Sequence, residues 1–344
     1  MADIEVQTVV ATGRERKKIV IFGGSGLLGR QLVIDLPNAG YDVLAPTHSD
    51  VDITNILEVI EYVTFHKPDV VINCAAYTDV DDCEHKPRLA HEVNAHGAEN
   101  IAISAAENGI RLIHMSTDYV FSSDKRTKVF SEGDEPCPCN VYGESKAEGE
   151  KLVLAACENP TIVRTAWLYG PGGPSFVHSV VRQMVEMRDF GWVKVVGDQF
   201  GCPTPTMLVV DAIIHLLNHP EASGIFHAVT RGWTSRFKFA SEVSRLLRVY
   251  RRDLPLIGEI KECSSKSFVC DAKRPASSIL DSDRLEETGY RRFGWESALR
   301  MFLLREWDNA DVMDKVAKPF VDRSMSIDMG PAIDVDSSNA IMVE

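Results

Sequence analysis

The 344-residue chain contains no run near the roughly 20 apolar residues that a membrane-spanning helix requires. Its opening segment, MADIEVQTVVATGRERKK, lacks the basic-then-apolar order of a signal peptide. There is no excess of basic residues. The 50 acids outnumber the 37 bases, and a formal net charge of −13 argues against a nucleic-acid polyanion as the main partner. Close-spaced cysteines are also scarce. Of eight, only Cys137-Pro138-Cys139 lie near one another, and no Cys or His pair nearby has zinc-finger spacing. Free thiols in a reducing, cytoplasmic setting are therefore expected. Hydrophobic residues make up 44% of the chain, enough for a packed core, and this excludes wholesale disorder and small disulfide scaffolds.

What is present is an alternation of short β-branched runs and helical segments. Residues 1–17 show no period and read as a flexible leader. IVIFGG then ends in glycines, and LLGRQLVIDLPNAG places Leu28, Leu32, Ile34 and Leu36 near helical spacing, before YDVLAP returns to strand composition. ILEVIEYVTFH, DVVINCAA, RLAHEVNAHGAENIAISAAENG and RLIHMSTDYVF continue the helix–strand order; a helix from Gly143 to Cys157 and the strand TIVRTAWLYG follow. Runs such as VVIN and IVIF, apolar on both faces, suit a parallel sheet covered by helices. The fold class expected is α/β, a doubly wound parallel (Rossmann) sheet over 18–166. A smaller, interleaved C-terminal substrate lobe is expected over 167–315, and a disordered acidic tail over 316–344.

Two strings carry chemistry. Gly23-Gly24-Ser25-Gly26-Leu27-Leu28-Gly29 follows the first strand and opens a helix. It can be read as G-x-G-x-x-G from Gly24, or as G-x-x-G-x-x-G from Gly23. In either reading the helix N-terminus presents free N–H groups to a pyrophosphate. The end of the second strand, Leu44-Ala45-Pro46-Thr47-His48-Ser49, holds neither an acid for a ribose 2′-hydroxyl nor an arginine for a 2′-phosphate. NADPH or NADH is the cofactor expected, with a lean to NADPH. The second string is Tyr142-Gly143-Glu144-Ser145-Lys146. A Tyr-x-x-x-Lys spacing puts phenol and ammonium on one helix face, where the cation favours ionisation of the phenol. The phenol can then protonate a carbonyl oxygen while hydride reaches the carbon. Thr117, at a strand's C-terminal end, can hydrogen-bond the same oxygen.

With STDYVF (116–121), NVYGESK (140–146), RTAWLYG (164–170), GDQFGCPT (197–204) and KRPASSILD (273–281) in this order, the chain resembles the extended short-chain dehydrogenase/reductases. Within them it is most similar to the dTDP-4-dehydrorhamnose reductase group, from about Lys18 to Trp307. The resemblance implies that Tyr142 is the proton donor, that Lys146 lowers its pKa and holds the nicotinamide ribose, and that Thr117 orients the carbonyl. It places Gly23, Gly26, Leu27, Leu28 and Gly29 at the pyrophosphate, Asp52 and Ile53 at the adenine, and Ala75, Ala76 and Tyr77 along the cofactor. It makes Asp118 and Trp167 contacts of a nucleotide sugar and Asn94 the holder of a water behind Lys146. Arg274 reads either as a solvated or ion-paired arginine or, with Lys273 beside it, as a diphosphate clamp. No metal is implied.

The activity implied is NAD(P)H-dependent reduction of the 4-keto group of dTDP-4-dehydrorhamnose to dTDP-L-rhamnose. A homodimer is allowed. The regulatory beta subunit of methionine adenosyltransferase is similar to the same group and also keeps a Tyr-x-x-x-Lys. Under that alternative the chain would bind NADP and partner the catalytic subunit. GDQFGCPT favours the reductase. A reductase or epimerase of another nucleotide sugar uses the same fold and dyad.

Overall fold

In the computed structural model, residues 16–186, 191–250 and 258–308 are described; the expected tail and all of the expected leader except Arg16 and Lys17 lie outside them. The first winding comprises β1 (Lys18–Phe22), α1 (Leu27–Asn38), β2 (Asp42–Leu44), α2 (Ile56–His66) and β3 (Val70–Asn73). Next come α3 (Val80–His85), α4 (Pro87–His91), α5 (Gly97–Glu107), β4 (Arg111–Thr117), β5 (Val129–Phe130), α6 (Val141–Ala156) and β6 (Thr161–Thr165). The remainder is β7 (Leu168–Tyr169), α7 (Phe176–Glu186), β8 (Trp192–Val196), β9 (Phe200–Gly201), β10 (Thr204–Pro205), α8 (Thr206–Leu217) and β11 (Gly224–His227). β12 (Thr234–Ser235), α9 (Arg236–Tyr250), β13 (Glu259–Cys263), β14 (Ile279–Leu280), α10 (Asp283–Glu287) and α11 (Trp295–Asp308) complete it.

Six parallel strands form the main sheet in the order β2-β1-β3-β4-β6-β11. The alternation of β1 explains why both faces are covered. Ile19 and Ile21 pack with Leu28, Leu32 and Leu36 of α1 and Val209 and Ile213 of α8. Val20 and Phe22 point the other way, to Val59 and Val63 of α2, Ile101 of α5 and Val153 of α6. Ile34 falls off this stripe and is exposed, so the buried face of α1 is the i, i+4, i+8 row of leucines. A separate cluster under α7, α9 and α11, with Tyr169, Phe176, Phe239 and Phe302, builds the rest of the molecule. Among the described residues no helix is long and apolar enough to cross a membrane.

The chain leaves β1 for β2 on one side and returns for β3 on the other, so the crevice beyond β1 and β3 is the topological switch point. Three expected elements are interrupted beside it. RLIHMST ends as a strand at Thr117, whose hydroxyl accepts from Tyr119 N–H (3.2 Å) and starts a tight turn at Asp118–Val120. The long helix expected from Arg88 contains a wider π turn at Glu92–His96. TIVRTAWLYG breaks at Trp167, whose φ of +44° is the left-handed region.

Candidate active site

The glycine turn sits on the switch point. Gly23 has φ +78°, and Gly26 N–H donates to Gly23 O at 3.1 Å. A Cβ at Gly23 would lie 2.4 Å from Ala75 N, one at Gly29 2.1 Å from Gly23 O, and one at Gly24 2.7 Å from Ala45 Cβ. These three glycines are demanded by the fold. Gly26 is different: a Cβ there would meet only Gly23 O, at 3.4 Å, an ordinary contact. It is exposed, and it starts α1 without a side-chain cap. An open backbone at an uncapped helix N-terminus fits a pyrophosphate, with the N–H groups of Leu27 and Leu28 to hold it, since that of Gly26 is given to Gly23 O. The Leu28 side chain is in the core, so only its backbone is available there.

Facing this turn, Cys74 N–H donates to Phe22 O and Ala75 N–H to Asn73 Oδ1, at 2.9 and 3.0 Å. Ala75 and Ala76 are half-buried. Tyr77 is clasped through its backbone: Asn94 Oδ1 accepts its N–H (2.7 Å), and Asn94 Nδ2 donates to its carbonyl (3.0 Å) and to Ser145 Oγ (2.9 Å). The side chain of Asn94 thus ties the 75–77 loop to α6. Asp52 accepts from Thr54 N–H (2.9 Å) and its hydroxyl (2.8 Å), which hold its carboxyl below the usual range. Ile53 is buried, with its carbonyl accepting from Asn100 Nδ2 at 2.9 Å.

Thr117, Tyr142 and Lys146 converge at the C-terminal end of β4. Asn140 caps α6 by accepting from Gly143 N–H (2.8 Å). A Cβ at Gly143 would stand 2.2 Å from Tyr119 O, so glycine lets α6 lie against the Asp118–Val120 turn. The Tyr119 and Tyr142 rings meet edge to face at 5.8 Å. Thr117 hydrogen-bonds the Tyr142 phenol, and burial pushes that phenol well above its ordinary value; Asp118 and Tyr119 add to the rise. The Lys146 ammonium donates to Met115 O at 2.7 Å and faces His114 Nε2 at 3.5 Å. Burial lowers Lys146 to about 8, opposed by Glu150. The spacing alone suggested a phenol made more acidic by the lysine. Here burial raises the phenol instead, and it stays protonated at neutral pH.

Asp118 is 2% exposed, and burial raises its carboxyl to about 6 against hydrogen bonds from Ser278 and Thr117 and the charge of Arg236. Trp167 stands over Gly201, where a Cβ would come within 2.4 Å of the indole. The Arg236 guanidinium lies 4.2 Å from the Trp167 ring and 5.0 Å from Phe176. Of the two readings of Arg274, the ion pair is the one seen. Arg274, 5% exposed, grips both oxygens of Asp81 at 2.9 Å, and Lys273 pairs with exposed Asp124 at 3.6 Å. The pairing spends the planar fork of Arg274 on a carboxylate of its own chain.

Sequence reasoning missed His114, Asn73, Arg236 and Ser278. Of these, only His114 left a sign: a polar residue inside the apolar run of β4.

A glycine turn at the switch point, with a threonine, tyrosine and lysine gathered beyond the fourth strand, defines an extended short-chain dehydrogenase/reductase, an NAD(P)H-dependent oxidoreductase. The family model described as the RmlD substrate binding domain matches residues 17–306. The dTDP-4-dehydrorhamnose reductase of Mycolicibacterium smegmatis is 37% identical over 289 residues, covering 83% of this chain and 84% of that one. A probable dTDP-4,6-dihydroxy-2-methyloxan-3-one 4-ketoreductase of Streptomyces antibioticus is 39% identical over 288 residues, covering 82% and 92%. Among solved structures, dTDP-4-dehydrorhamnose reductase from Bacillus anthracis in complex with NADP superposes with a TM-score of 0.76. It is 33% identical, with 84% of this chain and 99% of that one covered. The chain belongs to the RmlD family of dTDP-4-dehydrorhamnose reductases.

Proposed function

We propose that this protein reduces the 4-keto group of dTDP-4-dehydrorhamnose to dTDP-L-rhamnose in the cytoplasm, with NADPH as the preferred reductant. The observation that carries the reading is the hydrogen-bonded pair of Thr117 and Tyr142, with Asp118 accepting from Thr117 at 3.2 Å and Lys146 one turn along α6 from Tyr142. The reductase names of the relatives support the substrate class, and the NADP in the Bacillus anthracis structure supports the cofactor.

The bound dinucleotide supplies the hydride that adds to C4. The chain supplies the rest. The phenol of Tyr142, kept protonated by burial, gives its proton to the keto oxygen as negative charge develops there, and the hydroxyl of Thr117 shares that oxygen. Lys146 and the 75–77 loop hold the nicotinamide half, and Leu27 and Leu28 hold the pyrophosphate. Asp118 accepts from a sugar hydroxyl, and the Trp167 indole gives the deoxysugar a flat apolar face.

The test is oxidation of NADPH and of NADH, followed by nicotinamide absorbance, with dTDP-4-keto-6-deoxyglucose before and after epimerase treatment. Turnover with the epimerised sugar that disappears in Tyr142→Phe is expected. Cofactor binding without turnover on either sugar would overturn the reading and move attention to a pull-down with the methionine adenosyltransferase catalytic subunit.

A further inference from the structure

With Arg274 given to Asp81, the diphosphate of a bound nucleotide sugar has no cation in the scheme above. A second arginine stands beside the residues assigned to the sugar. Arg236 opens α9, and its backbone N–H donates to Gln199 O at 3.2 Å, which fixes the start of the helix next to β9. Its guanidinium carbon lies 4.2 Å from the centre of the Trp167 ring and 5.0 Å from that of Phe176. Contact with ring faces holds the guanidinium in place without using its N–H groups.

Those groups are largely unspent. A guanidinium carries five N–H donors, and the Tyr119 phenol hydrogen-bonds to this one. Asp118 acts on Arg236 through space, but its carboxylate accepts instead from Ser278 and from Thr117 (3.2 Å). Among the described residues no carboxylate forms an ion pair with Arg236. The side chain is half-buried, and none of its nitrogens is sealed from solvent without a partner, so the remaining donors are open. A partly desolvated cation with unused donors is costly unless a ligand brings the anion.

The place of Arg236 in the site says which anion. Tyr119 stands between it and the reacting end: its ring meets Tyr142 edge to face at 5.8 Å, and its phenol meets Arg236. In a pyranose, C1 and C4 are opposite corners of the ring. A sugar that turns its 4-keto oxygen to Tyr142 and lies against Trp167 carries its C1 substituent away from Tyr142, to the side of the guanidinium. We propose that Arg236 takes the diphosphate of the substrate and so selects a nucleotide-linked sugar over a free one. Its planar fork can donate to two phosphate oxygens at once.

The inference rests on the reading of the site as one for a nucleotide sugar, and its test is binding without turnover. dTDP, dTMP and thymidine are titrated into the NADP-saturated protein by calorimetry, with ligand-observed NMR for the weaker complexes. In Arg236→Gln the dissociation constant of dTDP should rise about 10- to 100-fold, the size of a lost charge-assisted contact, while that of thymidine changes less than about twofold. The salt dependence of dTDP binding should flatten in the same variant. Arg236→Lys keeps the charge without the fork and should fall between the two. Unchanged affinity for NADP shows that each variant is folded; if Arg236→Gln does not fold, Arg236→Lys against the wild type reads the same order of losses. An unmoved dTDP affinity refutes the proposal. So does a thymidine affinity that falls as far as that of dTDP, because Arg236 would then only brace Trp167. If UDP or GDP binds where dTDP does not, and is weakened in Arg236→Gln, the dTDP-sugar reading fails and the role of Arg236 stands.

Discussion

Thr117 lies between two acids of opposite readiness: the phenol of Tyr142, which burial keeps protonated, and the carboxyl of Asp118, which burial brings to about 6. Tyr142→Phe removes the proposed proton donor and leaves the glycine turn intact. We expect kcat to fall by about 10²–10⁴-fold with cofactor affinity nearly unchanged, measured by steady-state kinetics beside cofactor titration. In the proposed scheme Asp118 accepts a sugar hydroxyl as the carboxylate, so KM should rise as pH falls through about 6. Ser278 Oγ donates to that carboxylate and favours its charged form. In Ser278→Ala the carboxyl pKa therefore moves up, and the acid limb of kcat/KM should move to higher pH; a limb that moves down or stays would contradict the contact. Thr117, Tyr142 and Lys146 were legible because their residue types and spacing state a chemistry. Ser278 was not, since a serine in KRPASSILD could meet any of several polar partners, and the fold alone brings it to Asp118.

At the scale of elements, the site depends on places where backbone replaces side chain. Gly143 lets α6 approach the turn after β4, and Gly201 lets the indole of Trp167 lie on a strand. Gly143→Ala puts a methyl 2.2 Å from a backbone carbonyl, which cannot yield as a side chain would, so α6 must shift and carry Tyr142 with it. A displacement of about 1 Å at the reacting group costs on the order of 10²-fold in rate, and kcat should show it. Gly201→Ala presses instead on a side chain, 2.4 Å from the indole. Its expected effect is a raised KM for the nucleotide sugar, with cofactor affinity and the pH profile preserved. Equal losses in kcat and cofactor affinity would place Trp167 outside the sugar site. The helix and strand alternation was legible from apolar periodicity alone. The breaks at Trp167 and at Glu92–His96 were not, because a left-handed tryptophan and a π turn are strained local states held by tertiary contacts. The sequence pattern records only the propensity they override.

Across the whole molecule, the helix carrying Tyr142 and Lys146 is anchored to the sheet by an ion pair removed from solvent. Arg164 of β6 and Glu150 of α6 are 1% and 3% exposed and joined by two hydrogen bonds, and Arg164 Nη1 reaches His227 Nε2 of β11 at 3.4 Å. The pair therefore couples α6 to strands drawn from both halves of the chain. Sequence spacing could not reveal it, since Arg164 in TIVRTAW reads as a charge in a strand and Glu150 as a charge on a helix face. Two buried charges attract strongly but were also costly to desolvate, so the sign of a substitution depends on what remains. Arg164→Met alone strands the Glu150 carboxylate in the core and should destabilise the protein by about 3–5 kcal/mol, read by denaturant unfolding. Glu150→Leu alone should cost a similar amount by stranding the guanidinium. The double variant strands neither, and it should recover most of the loss. If the single losses simply added in the double variant, the pair would not act as a unit, and the anchoring of α6 would have to come from its glycine contacts alone.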